Sequence, residues 1–343
     1  MAAVPLIQTS ILRPFTRYLE QLGAPVENGL HKAKLPVLSL DNPALYVSTA
    51  AFWDFAGIMA QREGIENLGI LVGEATGANS LAPTFRQLLL TCPTLHQALL
   101  LTSRKLASRS SLSYIGVVDT GADTSRFYHH TSFGLQHPSH YHMEWFALSA
   151  MVEIVRVFTG RDWRPAEIGL ISRRVPGRMI QSRFPDTRFV YGQPSSYLNI
   201  DAALLSTPPC MDPCMDSGME AVDESTTPLS TGHSHPADDF AGSLKQLMAA
   251  YLPEGTPSIN LIAEVAGTST RTLQRQLRAA GLNYRELLEQ VRYDRAIRLL
   301  ANPDNTIIDV TSQLGYSEPT HFTRAFRRMA GISPRTYKQQ LTK

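Results

Sequence analysis

The chain has 343 residues, of which 43% are hydrophobic and 18% are charged, and its formal net charge is +2 at pH 7. This balance excludes a disordered or fibrous protein, and the length favours two domains over a single core. No segment approaches the roughly 18 consecutive apolar residues of a membrane helix, and no secretory signal pattern opens the sequence, so we expect a cytoplasmic protein. Three cysteines, an odd number, argue against a disulfide framework.

The N-terminal part of the sequence mixes helical and strand-like patterns. Apolar residues recur at helical spacing over residues 95–106 and 143–159, whereas residues 113–118 and 168–172 are β-like. This mixture predicts an α+β domain, which we place at residues 1–205.

Five of the ten histidines fall within 14 residues of this domain: His129, His130, His137, His140 and His142. Closely spaced neutral imidazoles bind zinc or copper, but no cysteine or paired carboxylate accompanies these. Pro138 favours an irregular segment here. We therefore predict a surface loop with some packed histidines and no metal, with a metal site as the alternative.

The composition changes abruptly over residues 206–238 to proline, serine, threonine, methionine and acidic residues, which predicts a flexible linker. Cys210 and Cys214 lie in this segment and are followed by His233 and His235, at a spacing that common zinc modules do not use. We interpret the two thiols as incidental to an exposed linker. Redox sensing and metal capture are the alternatives.

The C-terminal part carries the positive charge. Residues 240–343 hold 14 Lys and Arg against 8 Asp and Glu, a net charge of +6, whereas residues 1–239 hold 18 against 22, a net charge of −4. A basic excess of this kind suits a phosphate-binding surface, although solvated helices can be as basic. The hydrophobic pattern is helical throughout residues 239–343, so we predict an all-α second domain there.

The first helices of this second domain form a recognisable unit. The pattern predicts helices over residues 240–251, 259–266 and 269–280, with Gly267 in the turn between the last two. Two short helices around a tight glycine turn, here residues 257–281, are typical of a helix-turn-helix motif.

The last of these helices has two faces. Leu273 and Leu277 are four residues apart and therefore point to the core. The opposite face carries Thr270, Arg271, Gln274, Arg275 and Arg278. Arginine can form two hydrogen bonds to guanine and glutamine can form two to adenine, so this face suits the major groove of DNA. A solvated face that aids solubility is the alternative.

The motif then recurs. After a long helix over residues 284–301, the pattern predicts a short helix over 307–314 and a further helix over 318–330, which together give a second motif at residues 306–330. This second motif has the same order of elements as the first.

Two sequence patterns support the repeat. Gly-Thr-Ser at residues 267–269 recurs 48 residues later as Gly-Tyr-Ser at 315–317, with the serine as helix cap each time. Leu-x-Arg-x-Leu at 273–277 recurs as Phe-x-Arg-x-Phe at 322–326. A helix face that is exposed only for solubility would not recur together with the same turn and helix cap, so we predict that both motifs bind DNA.

Three stretches carry a family signature: Gly-Tyr-Ser at 315–317, Phe-Thr-Arg-Ala-Phe-Arg-Arg at 322–328 and Gly-Ile-Ser-Pro at 331–334. Together they resemble the C-terminal signature of the AraC/XylS family of bacterial transcription factors. Thr311 stands where the family usually has alanine, and Lys338 stands where arginine usually closes the motif. Thr311 therefore needs a partner for its hydroxyl group.

The resemblance implies a seven-helix domain in which the helix over 284–301 separates the two motifs. Each second helix would enter one of two successive major grooves, roughly 34 Å apart. By matching positions, the resemblance implies base contacts from Arg271, Gln274, Arg275, Thr320, Thr323 and Arg324. It implies phosphate contacts from Arg278, Arg327 and Arg328.

A second resemblance lies in the N-terminal part of the sequence. It is carried by Gly-Ala-Pro-Val at residues 23–26, by residues 40–55, and by residues 146–160 followed by Trp-Arg-Pro at 163–165. They are similar to the arabinose-binding-type effector and dimerisation domain of longer family members. This resemblance implies an unspecified small organic effector and a homodimer, with RNA polymerase as a partner if the chain is an activator. We expect no cofactor.

Other classes of protein find little support in the residues. The sequence has no nucleophile elbow, phosphate loop, His-Glu-x-x-His motif or glycine-rich dinucleotide fingerprint, so we predict no enzyme. An enzyme would need unrecognised chemistry in residues 1–205. A protein-interaction module without a DNA target would leave the two arginine-bearing helices unexplained.

Overall fold

The computed structural model describes residues 3–38, 40, 42–76, 83–121, 123–210 and 235–341. The chain divides into two compact units. The first unit combines residues 1–12, 27–52 and 236–343, and the second combines residues 13–26 and 53–235. This division differs from the domain boundaries expected from the sequence, because two N-terminal segments fold with the C-terminal helices.

Strands occur only before residue 202 in the described part of the chain. They are β1 (Leu6–Gln8), β2 (Tyr46–Ser48), β3 (Ser113–Asp119), β4 (Thr124–Thr131), β5 (Glu167–Gly169), β6 (Arg188–Val190) and β7 (Ser196–Asp201). The helices among them are α1 (Thr9–Gln21), α2 (Val26–Lys32), α3 (Thr49–Arg62), α4 (Leu68–Thr76), α5 (Pro83–Leu90), α6 (Leu95–Ala107), α7 (His140–Thr159) and α8 (Arg178–Arg183). The later helices are α9 (Phe240–Tyr251), α10 (Ile259–Val265), α11 (Thr270–Ala279), α12 (Tyr284–Ala301), α13 (Ile307–Gln313), α14 (Pro319–Ala330) and α15 (Pro334–Leu341).

The second unit is built on a sheet with the strand order β3-β4-β7-β5-β6. β5 and β6 are parallel, and the other neighbouring strands are antiparallel. Phe127, Leu198 and Ile168 are neighbours across three strands and are fully buried. They share one hydrophobic core with Trp145 and Leu148 of α7. The sheet and its packed helices confirm the predicted α+β architecture.

Two glycines allow α4 to pack closely on α7. A Cβ atom built on Gly69 would lie 1.7 Å from the carbonyl oxygen of His142, and one built on Gly73 would lie 2.4 Å from Cβ of Ser149. Both distances are far below van der Waals contact, so a larger residue at either position would push the helices apart.

Four of the five clustered histidines lie in regular structure. His129 and His130 belong to β4, His140 and His142 begin α7, and His137 lies in the segment between them. The predicted surface loop is therefore wrong for four of the five, since the strand and the helix both extend into it. Burial lowers the pKa of His129 and of His142 to about 4, because an enclosed site disfavours the charged imidazolium. Among the described residues, no group of three or more His, Cys, Asp or Glu side chains is placed to hold a metal ion.

The predicted linker begins later than the sequence suggested. The amide of Leu95 donates to the carbonyl of Thr207 at 3.0 Å, and the amide of Cys210 donates to the carbonyl of Val157 at 2.9 Å. The chain thus packs on the second unit as far as residue 210. Residues 211–234, which include Cys214, lie outside the described residues.

The first unit contains seven α-helices between residues 235 and 341, all of which are described. The predicted helices over 240–251 and 284–301 are confirmed residue for residue as α9 and α12. Reciprocal side-chain and backbone hydrogen bonds begin α12 at Asn283 and α13 at Thr306, so these two starts are fixed by local sequence. Across the described parts of the chain, no helix is long and apolar enough to cross a membrane.

Two N-terminal segments complete the core of the first unit. β1 pairs antiparallel with β2, and β2 lies against α9. The amide of Val4 donates to Oγ of Ser243 at 2.9 Å, and the hydroxyl of Tyr251 donates to the carbonyl of Lys34 at 2.7 Å. Leu6 has no exposed surface. The two hydrogen bonds join residues more than 200 positions apart, and the sequence did not predict these contacts.

Candidate nucleic-acid interface

The first helix-turn-helix motif consists of α10 and α11. Gly267 occupies the turn with a φ of +68°, a left-handed conformation that favours glycine. Oγ of Ser269 accepts a hydrogen bond from the amide of Thr272 at 3.2 Å and so caps α11, as predicted. Leu273 and Leu277 are buried, which fixes the rotation of α11 about its axis.

The predicted DNA-facing side of α11 is exposed. Arg271, Gln274, Arg275 and Arg278 are exposed, and Thr270 is half-buried. Among the described residues, the three arginines of this helix make no ion pair, so their guanidinium groups are available to an anionic partner. The exposed face carries three positive charges and no acidic side chain.

The second motif consists of α13 and α14. The predicted cap, Ser317, is wrong by one residue, because Glu318 is the residue that precedes the helix. Pro319 explains the shift: proline favours the first helical position and forces the residue before it into an extended conformation, which Glu318 adopts. Phe322 and Phe326 are buried and take the place of the two leucines of α11.

The outer face of α14 carries the second set of predicted contacts. Thr320, Arg324, Arg327 and Arg328 are exposed, and Thr323 is half-buried. Two of these side chains already have partners within the chain. Oγ1 of Thr320 donates to Oε2 of Glu318 at 3.1 Å, and Nη2 of Arg328 lies 2.9 Å from Oε2 of Glu289 on α12.

Both departures from the family signature are accommodated locally. Thr311 is buried, and its hydroxyl donates to the carbonyl of Ile307 at 2.7 Å, which supplies the partner that its burial requires. Nζ of Lys338 donates to the carbonyl of Pro303 at 2.8 Å and also to the carbonyl of Asn305. The lysine ammonium therefore binds the backbone of the segment that leads into α13.

Sequence reasoning missed two residues near the motifs. Arg292 of α12 and Gly315 of the second turn both contact the segment that precedes α10. Arg292 is half-buried, and in a sequence it looks like a solvated arginine between apolar positions. The sequence pattern indicates Gly315 only as a turn residue.

Comparison with known protein families identifies both halves of the chain. A helix-turn-helix domain model matches residues 262–340. The model of the N-terminal arabinose-binding domain of AraC transcription regulators matches residues 23–209, which is more than half of the chain. The chain belongs to the AraC family of transcription regulators. The second unit thus corresponds in large part to the family's arabinose-binding domain. The region matched by the helix-turn-helix model contains α11 to α14 entirely and most of α10 and α15.

Individual AraC-family relatives match part of the chain. Transcriptional activator NphR from Rhodococcus sp is 27% identical over 188 residues, which is 51% of this chain and 55% of that protein. The HTH-type transcriptional regulator VirS from Mycobacterium tuberculosis is 40% identical over 87 residues, which is 25% of this chain and 26% of that protein. The chain therefore spans about half or less of the length of these curated relatives.

Among solved structures, the transcriptional regulator CdpR from Pseudomonas aeruginosa is 20% identical, with 95% of this chain and 97% of that chain covered and a TM-score of 0.41. The DNA-binding domain of AdpA in complex with a target DNA is 26% identical, with 31% of this chain and 93% of that chain covered and a TM-score of 0.27.

Proposed function

We propose that this chain is a sequence-specific DNA-binding transcription regulator that places α11 and α14 in two successive major grooves, roughly 34 Å apart. The observation that carries the proposal is the repeat: two helix-turn-helix motifs present exposed arginines on corresponding faces of their second helices. An arginine in a major groove distinguishes guanine from the other bases, so each motif supplies its own sequence preference.

The side chains divide into two roles. Arg271, Gln274 and Arg275 on α11, and Thr320, Thr323 and Arg324 on α14, would contact base edges. Arg278, Arg327 and Arg328 lie nearer the C-terminal ends of their helices and would contact phosphates, which position the protein without reading sequence.

The N-terminal arabinose-binding domain supports a second part of the proposal. It would bind a small organic effector and hold two copies of the chain together, and neither role requires enzyme chemistry. NphR is named a transcriptional activator, which favours activation and hence a contact with RNA polymerase. A domain of this kind can change transcription only if the effector binds two states of the chain with unequal affinity.

Selection from random duplex DNA with the full chain tests the DNA-binding proposal. We expect enrichment of a site with two conserved halves about one helical turn apart, and an affinity that falls steeply as salt rises, because bound phosphates release counterions. Enrichment of no sequence above background would contradict the proposal. Fluorescence anisotropy with the selected site then gives the affinities of variants.

The two roles are separated by single substitutions. Arg271→Ala and Arg324→Ala should each cost about 1–3 kcal/mol and relax the preference at particular base pairs, whereas Arg278→Ala should weaken all sequences equally. Arg298→Ala removes the same charge from α12 and serves as the control. If all three interface variants lose the same affinity across a panel of altered DNA sites, the division into base contacts and phosphate contacts is refuted.

A further inference from the structure

The turn of the second helix-turn-helix motif lies against the segment that precedes the first motif. Gly315, in the turn of the second motif, has a φ of +68°. A Cβ atom built on it would lie 2.5 Å from the carbonyl oxygen of Leu252 and 2.6 Å from that of Gly255. Both oxygens belong to the segment that leads into the first motif. The turn of the second motif therefore contacts that segment backbone to backbone.

Arg292 of α12 binds both sides of this contact. Its Nε donates to the carbonyl of Leu314 at 3.0 Å, and its Nη2 donates to the carbonyl of Gly315 at 3.2 Å and to Oγ1 of Thr256 at 2.6 Å. The guanidinium also lies over the ring of Tyr316, 4.3 Å from its centroid. Arginine suits this position because its planar group offers several donors in a fixed arrangement and stacks on aromatic rings.

α12 also forms hydrogen bonds to α9 and to the start of the first motif. The hydroxyl of Tyr284 donates to the carbonyl of Pro257 at 2.8 Å, and Nη1 of Arg295 donates to the carbonyl of Ala249 at 3.3 Å. These bonds involve only the first motif's side. Arg292 bonds to both sides, to Thr256 before the first motif and to the turn of the second motif.

We propose that Arg292 is a positioning residue for DNA recognition. Together with Gly315, it fixes the distance and angle between α11 and α14 so that both reach their half-sites at once. We call Arg292, Gly315, Thr256 and the backbone of residues 252–255 the inter-motif joint. The inference rests on the proposed function, because a fixed spacing matters only if two grooves are read together. A rigid joint lowers the cost of binding the second half-site, since that motif is already oriented.

A purely structural role for Arg292 predicts a different result from a positioning role. Loss of stability would weaken binding to every DNA probe by the same factor. Loss of positioning would instead change how strictly the chain requires one spacing between the half-sites. The spacing requirement is therefore the quantity to measure.

The test uses the full chain and two duplex probes measured by fluorescence anisotropy: the site selected by the wild-type chain, and the same site with one base pair inserted between its halves. The insertion shifts one half-site by about 3.4 Å and rotates it by about 36°. We expect the insertion to weaken wild-type binding by about tenfold or more, because one rigid protein cannot meet both halves. For Arg292→Gln we expect about tenfold weaker binding to the selected site and an insertion penalty of about threefold or less.

Matched controls exist for the substitutions at Arg292 and at Gly315. Arg285→Gln removes the same charge from an exposed position on α12 outside the joint. Gly267→Ala introduces the same backbone strain as Gly315→Ala, since both glycines have a φ of +68°, but a Cβ atom on Gly267 meets nothing within 4 Å. We expect Gly315→Ala to reduce the insertion penalty and both control variants to keep the wild-type penalty.

An unchanged insertion penalty in Arg292→Gln and Gly315→Ala would overturn the proposal, even if both bind DNA more weakly. If circular dichroism shows that these variants have lost helical structure, Arg292→Lys decides the matter. It keeps the charge but not the set of three hydrogen bonds, so a reduced penalty supports the joint and a wild-type penalty overturns it. A wild-type chain that enriches no DNA sequence refutes the proposed function itself, which is a separate result.

Discussion

The N-terminal strand β1 supplies a strong test of how the chain is divided, because it belongs to the same unit as the two helix-turn-helix motifs. Leu6 has no exposed surface, and its strand pairs with β2, which lies against α9. Replacing a buried leucine by alanine costs about 2–5 kcal/mol, since apolar contact is lost and a cavity remains. A loss of about 3 kcal/mol corresponds to a roughly 150-fold increase in the opening equilibrium of the unit.

Hydrogen exchange measured by mass spectrometry on the full chain reports the opening equilibrium of each segment. When the unit recloses faster than its open amides exchange, the exchange rate follows the opening equilibrium. In Leu6→Ala, the amides of α9 should then exchange about 150-fold faster, whereas those of α7 should exchange as in the wild type. Leu198→Ala, a buried leucine of the second unit, should give the reverse pattern. If α9 keeps its protection in Leu6→Ala, the N-terminal strand is not part of the core of the first unit.

Two further predictions concern charge. Glu289→Gln releases Arg328 from its ion pair, so affinity for any DNA sequence should rise by about twofold to fivefold, as expected for a partly exposed pair of modest strength. Asp294→Asn removes the same charge from α12 and is the control. An equal rise in both variants would contradict the role of the pair. The pKa of His129, about 4 in the folded chain, lies below its ordinary value of 6.5. The unfolded state therefore binds more protons between these values, so the free energy of unfolding of the second unit should decrease as pH falls from 6.5 towards 4. Thermal unfolding across this range should show a shallower decrease for His129→Gln, and an identical pH dependence would exclude His129 as its source.

The C-terminal helices could be predicted from the sequence because their signals are local. Each has an apolar stripe, and caps such as Ser269, Asn283 and Thr306 lie within three residues of the amides they bond. The start of α14 was misplaced by one residue, because Pro319 takes precedence over the serine two residues before it, and no pattern gave bounds for α15. The exposed arginines of both motifs follow directly from the position of these stripes.

The parts of the molecule that escaped prediction depend on contacts between distant residues. β1 and β2 have three residues each, too short for a periodic pattern, and their pairing joins positions about 40 residues apart. The ion pair between Arg328 and Glu289 links two helices whose separate sequences suggest only solvated charges. Arg292 has the same ambiguity, since its three acceptors come from two other segments of the chain.

The division of the chain also decides how regulation can be tested. Removing residues 1–205 would delete the arabinose-binding domain, but it would also remove Leu6, β2 and the carbonyl that accepts from Tyr251. A loss of DNA affinity after such a deletion would then report a damaged core as readily as a lost dimer. Substitutions confined to residues 53–210 leave the first unit complete, so they separate the two causes. Consider a variant in this range that sediments as a monomer and keeps wild-type hydrogen exchange in α9. If it binds an operator with two copies of the selected site more weakly than the wild type does, the loss of affinity is due to lost dimerisation alone. Unchanged affinity for that operator in such a monomeric variant would show that self-association contributes nothing to DNA binding.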